Sequence, residues 1–127
     1  MHKTSITHLN NEHNDWLRAL EFYKTELNIL KGRLQEIASK NTGHATGPII
    51  EHYQNQFEIQ LNNLSKLVHA INKNLNDISI EVKQNGGGYV DILLIEQHYK
   101  LKEMFITEEK TLNELRHTFN RFAAEWM

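Results

Sequence analysis

The stretch Ile6–Ile37, "ITHLNNEHNDWLRALEFYKTELNILKGRLQEI", decides the architecture. Ile6, Leu9, His13, Trp16, Leu20, Tyr23, Leu27, Leu30, Leu34 and Ile37 follow one another at alternating steps of three and four. With 3.6 residues per helical turn, that spacing puts all of them on a single stripe. If Ile6 is position a of a heptad, Leu9 is d, and the frame runs on to Ile37 without a stutter. A repeat sustained this long signals a helix packed against other helices through its a and d side chains. Two members of the stripe are not aliphatic or purely apolar: His13 and Tyr23.

Outward from this stretch the repeat recurs twice. Phe57, Leu61, Leu64, Val68, Ile71, Leu75, Ile78 and Val82 carry it in the middle of the chain. Leu94, His98, Leu101, Phe105, Glu108, Leu112, Leu115, Phe119, Phe122 and Trp126 carry it at the end. Two clusters of helix breakers separate the three segments, "NTGHATGP" at Asn41–Pro48 and "NGGG" at Asn85–Gly88. Gly43 suits a left-handed C-cap and Pro48 a first helical turn. Helices are therefore expected at about 5–41, 48–84 and 89–126, each roughly 55 Å long. Gly32 is the one glycine inside a helix, at a cost of about 1 kcal/mol.

Short connections make consecutive helices antiparallel. The expected fold is all-α: an up-down-up bundle of three long helices with coiled-coil-like heptad packing, in one domain spanning 1–127. Rival topologies are a rod made by fusing the first two helices, and a hairpin that completes its core by dimerising. The hinges also allow the third helix to be swapped onto a neighbouring copy.

Composition narrows the function classes. The formal net charge of −2, with Lys and Arg dispersed, argues against a polyanion binder, so no nucleic-acid partner is expected. The absence of cysteine excludes disulfides, thiolate metal sites and cysteine nucleophiles. The opening "MHKTSITHLNNEHNDW" has no apolar core of a signal peptide. The most apolar run, "YVDILLI", is far shorter than the roughly 20 residues of a membrane span. A soluble, cytoplasmic protein with no membrane partner is the expectation.

In an up-down-up bundle the first and third helices are parallel, and an offset of 85 residues superimposes their a and d positions; one heptad either way also fits the register but leaves ragged ends. That offset sets His13 level with His98 and Tyr23 level with Glu108. Leu75 or Ile78 of the second helix is expected in the histidine layer, flanked by Asn76 and Asp77. The two imidazoles can share one hydrogen bond in a satisfied polar layer that fixes register. Alternatively they can hold a divalent metal such as Zn, Ni or Cu, with Glu12, Asp77 or Asp91 supplying oxygen. The phenol of Tyr23 can donate to the Glu108 carboxylate.

Other histidine patterns fail on placement. Glu114 and His117 have the Glu-x-x-His spacing of di-iron bundles, but they fall at c and f, outside the seam, and no second such motif exists. His8 and Glu12 fall at c and g, a rim pair, while His52 and His69 lie at outer positions f and b. No phosphate loop, dinucleotide fingerprint or nucleophile elbow is present. No enzyme and no obligatory cofactor is expected.

One feature exceeds the needs of a three-helix core. Ile92, Ile95, Tyr99 and Ile106 form a second apolar stripe on the third helix, and Phe22 and Ile29 repeat at c on the first. A helix with two apolar faces packs on two sides. The expected function is therefore a non-enzymatic scaffold, adaptor or assembly module, partnered by a second copy as a homodimer or by another helical protein. The alternative is a small metal- or pH-responsive protein centred on His13 and His98.

Overall fold

The computed structural model describes residues 6–41, 43, 46–84 and 90–126. They form three α-helices: α1 over Ile6–Lys40, α2 over Gly47–Gln84 and α3 over Ile92–Trp126. Each helix packs against the other two, giving an all-α three-helix bundle. Among the described residues there is no β-strand.

Cross-helix contacts fix the directions. His13 meets His98, Tyr23 meets Glu109, Glu26 meets Arg116 and Asn41 meets the Trp126 carbonyl. Positions on α1 and α3 rise together, so these helices are parallel. The offset is 85 residues at both the histidine pair and Asn41–Trp126, as the heptad alignment predicts. His13–Asn74 and Lys31–Glu58 run in opposite senses, so α2 is antiparallel to α1.

Local chemistry explains the helix ends. Gly43 does not take the left-handed conformation its position suggests. Asn41 closes α1 instead: its backbone N–H and its side-chain amide both donate to the Ile37 carbonyl, at 3.0 and 2.8 Å. The same amide reaches the Trp126 carbonyl at 3.3 Å, joining the last turns of α1 and α3. Thr46, buried in the connection, turns its hydroxyl to the Asn41 and Gly43 carbonyls, 3.0 Å from each. Pro48 sits in the first turn of α2, where its missing N–H costs nothing. At the start of α3, Asp91 accepts from the Leu93 N–H at 2.8 Å, an N-cap that begins the helix at Ile92 and not at 89. The "NGGG" turn lies outside the described residues.

Burial follows the heptads of α1 and α3 closely. Every seam position named for α1 is buried except Ile6 and Tyr23, which are half-buried. On α3 the buried seam residues are His98, Leu101, Phe105, Leu112, Phe119 and Phe122. On α2 the structure corrects the register. Phe57, Leu64, Ile71 and Ile78 are buried as expected, but the second inward column is Tyr53, Gln60, Leu67 and Asn74. Leu61, Val68, Leu75 and Val82 are only half-buried. Both columns stand three or four residues from the shared one, so spacing alone fits either. The helix is turned so that Asn74, not Leu75, enters the histidine layer.

The core is richest in aromatic rings near the α1–α2 connection, where Tyr53, Phe57, Phe119 and Phe122 pack with ring centroids 5.1–6.2 Å apart. Towards the other end, the layer of His13, Asn74 and His98 separates this main cluster from buried Leu9 and Ile78. The α2 register predicts a contrast between neighbouring leucines. Leu67→Ala should cost about 2–5 kcal/mol of unfolding free energy, the usual range for a buried leucine, and half-buried Leu61→Ala clearly less. Urea titration of the two variants checks it; equal losses would mean the helix is rotated otherwise.

A buried histidine layer as candidate functional site

Heptad phase alone places His13 and His98 inside the bundle, since a on α1 faces a on α3. Both side chains are 0% exposed. Their rings meet edge to face with centroids 4.6 Å apart, and His13 Nε2 lies 3.3 Å from His98 Nδ1. Trp16, one step along the α1 seam, stacks on His98 at 4.8 Å and meets His13 edge-on at 5.5 Å.

Each outer ring nitrogen has its own acceptor. His13 Nδ1 lies 2.7 Å from the Leu9 carbonyl, one turn back on α1. A carbonyl only accepts, so this nitrogen carries a hydrogen. His98 Nε2 lies 3.0 Å from Glu12 Oε1 and donates to it likewise. On the inner side, Asn74 brings Oδ1 to 2.9 Å from His13 Nε2. Its amide orientation is set by Leu94, whose carbonyl accepts from Asn74 Nδ2 at 3.1 Å. One asparagine on α2 thus bridges α1 and α3.

Glu12 is the electrostatic hub, not a residue of the rim. Its Oε1 receives both His98 and His8, each at 3.0 Å, and its Oε2 receives Lys102 at 3.1 Å. Burial pushes the Glu12 carboxyl up, but the donors from His98 and Lys102 outweigh it and hold the group below its ordinary value. His98 goes the other way for an imidazole: burial pulls it down, and Glu12 only partly restores it.

Two expected members stand elsewhere. Asp77 is half-buried at the side of α2 and pairs with Lys73 at 2.9 Å. Asp91 is spent on capping α3. Among the described residues, no group of three or more His, Cys, Asp or Glu side chains is arranged to hold a metal ion. Asn74 is the member that sequence reasoning missed. An asparagine at a seam position four residues before Ile78 was the available signal, and the apolar Leu75 beside it obscured it.

The second polar pair is also corrected. Tyr23 donates to Glu109 at 2.7 Å, not to Glu108. Glu109 shares a column of α3 with Lys102 and Arg116, which pair with Glu12 and Glu26 of α1. This column borders α1, and the seam phenol reaches sideways to it. Burial, then the Glu109 carboxylate, pushes the Tyr23 phenol up to about 12. Glu108 points into the bundle, where Oε1 has no hydrogen-bond partner and burial pushes its carboxyl up. Glu114 and His117 are exposed on α3.

Of the expected outer stripe, Ile92, Tyr99 and Ile106 are exposed, as are Phe22 and Ile29 on α1. Ile95 is half-buried because it belongs to the Lys102–Glu109–Arg116 column against α1. No helix of the described chain is long and apolar enough to cross a membrane. Compared with protein-family models, with curated proteins and with solved structures, the chain matches none.

Two measurements probe the layer. Asn74→Leu removes the bonds to His13 Nε2 and to the Leu94 carbonyl and should cost about 1–3 kcal/mol, despite adding an apolar side chain to the interior. Chemical denaturation reads the loss. His98 binds its proton more weakly folded than unfolded, so the unfolded chain takes up more protons as pH drops through 6.5. Stability should therefore fall from pH 7 towards pH 5, and this part of the fall should vanish in the His13→Leu, His98→Leu variant. An unchanged profile in that variant would contradict the burial of the pair.

Proposed function

We propose that this chain is a non-enzymatic helical assembly module that associates with a second copy of itself through the outer face shared by α1 and α3. The reading places it in the cytoplasm as a scaffold or adaptor, with a seven-residue repeat that supports left-handed coiled-coil packing. The observation that carries it is the exposure of Phe22 and Ile29 on α1 beside Ile92, Tyr99 and Ile106 on α3, from 44% to 63% each. These residues flank one boundary. Glu12 and Glu26 of α1 meet Lys102 and Arg116 of α3 across it. Phe22 and Ile29 stand one position round α1 from the glutamate column, and Ile92, Tyr99 and Ile106 one position round α3 from the lysine–arginine column.

Magnitude favours a symmetric partner. Fully burying a side chain of this kind contributes roughly 1.5–3 kcal/mol. Five of them, already partly covered, only match the roughly 4–15 kcal/mol that association costs. An isologous dimer buries the patch twice and gains the margin.

Light scattering or sedimentation across a concentration series tests this. The wild-type chain should be dimeric at high concentration, and Ile92→Glu with Ile106→Glu should be a folded monomer. A wild-type chain that stays monomeric throughout overturns the self-association reading.

A second reading, a small metal- or pH-responsive protein, is supported by the assembly of His13, His98 and Glu12 around one layer. Metal analysis of tag-free protein separates its two branches: stoichiometric metal lost in His13→Ala favours the metal branch.

A further inference from the structure

The hydrogen-bond arithmetic of the layer does not close with two neutral imidazoles. His13 faces acceptors on both sides. Nδ1 meets the Leu9 carbonyl, and Nε2 meets Asn74 Oδ1, which cannot exchange with the amide nitrogen while Leu94 holds it. The remaining neighbour of His13 Nε2 is His98 Nδ1. That atom is itself bare if His98 is neutral, because the His98 hydrogen lies on Nε2 facing Glu12. Three lone pairs then converge at 2.9 and 3.3 Å in a site closed to water. Buried acceptors facing one another without a donor are costly. One positive charge at this point satisfies all three.

We propose that the layer is a buried cation site whose occupant is a proton: His13 is an imidazolium in the native protein, donating from Nε2 to Asn74 Oδ1 and His98 Nδ1 and from Nδ1 to the Leu9 carbonyl. This sharpens the pH-responsive reading by naming the occupant, and it is independent of self-association. The donor set favours a proton over a metal: beside the two ring nitrogens stands the neutral amide oxygen of Asn74, not a carboxylate or thiolate. Separations of 2.9 and 3.3 Å accommodate one hydrogen shared in a forked bond. The carboxylate a metal would draw upon is turned to the outer nitrogen of His98.

The surrounding charges are compatible with it. From α1, Glu12 supplies the counter-charge and His8 shares it. From α3, Lys102 binds the far oxygen of Glu12. From α2 the layer receives the neutral Asn74, while Lys73 and Asp77 neutralise each other at the side of that helix. Only a hydrogen on His13 Nε2 reaches both Asn74 Oδ1 and His98 Nδ1, so the proton sits on His13.

A neutral pair and a one-proton layer differ on the alkaline side. A layer that keeps one proton holds fewer than the unfolded histidines in acid and more than they hold above about pH 6.5. Its contribution to folding therefore peaks near that pH and declines in both directions. Above the peak it declines by about tenfold in the folding equilibrium constant per pH unit. A neutral pair gives the acid limb alone.

The test is nitrogen-15 NMR of the histidine rings in tag-free, chelator-dialysed wild-type protein at pH 7.5. Urea titrations of wild type and of the His13→Leu, His98→Leu variant from pH 5.5 to 9 accompany it. The expected result is a His13 ring protonated on both nitrogens, a His98 ring protonated on Nε2 alone, and an alkaline limb present only in the wild type. A bare nitrogen on His13 at pH 7.5 overturns the proposal. So does about one metal ion per chain before dialysis, with ring signals that shift when it is removed. If the leucine variant does not fold, the ring signals of the wild type decide.

Discussion

Asn74 is the constraint on which the bundle's geometry turns. Its side chain spans the space between α1 and α3, turning its oxygen to His13 on one and donating to the Leu94 carbonyl on the other. Apolar layers tolerate small rotations and slips, because dispersion and burial are not directional. A bridging amide does not: a shift of one residue in any helix leaves a ring nitrogen, an amide or a carbonyl stranded in the interior. The heptads set the parallel offset of α1 and α3 and the inward position of His98, and the rotation of α2 brings Asn74 to satisfy the layer they create.

That constraint also marks the limit of what the sequence discloses. The directions and approximate extents of all three helices can be read from apolar spacing, and so can the meeting of His13 with His98, because an unbroken repeat fixes the phase and flush helix ends select the heptad. The rotation of α2 cannot be read that way. From Phe57, Leu64, Ile71 and Ile78 the chain offers two equally spaced second columns, and the more apolar one, Leu61, Val68, Leu75 and Val82, is the one left half-buried. Hydrophobicity ranks side chains by their preference for the interior; it does not register that His13 needs a polar partner there. Gln60 enters the core by belonging to the same column as Asn74.

Tyr23 and Glu108 show a second kind of illegibility. Heptad alignment sets two positions level, but a long side chain spans more than one column. The phenol therefore pairs with Glu109 at the edge of the α1–α3 boundary, and Glu108 is left inside. The helix ends are similar. Gly43 and the glycine run attract attention as breakers, whereas Asn41 and Asp91 do the capping through amide and carboxylate geometry that composition does not reveal.

The position of the polar layer along the bundle has a consequence for how the native state breathes. Beyond it the fully buried apolar residues among those described are Leu9 and Ile78, against an aromatic-rich cluster on the other side. Cooperative units in a protein are set by contiguous apolar contact, and a polar layer interrupts that contiguity. The first turns of α1 and α3 and the last turns of α2 thus form a short segment that can open while the aromatic end stays closed. Backbone amides around Leu9, Ile78 and Leu94 then exchange with solvent by this partial opening, and those around Phe57 and Phe119 only when the whole bundle comes apart.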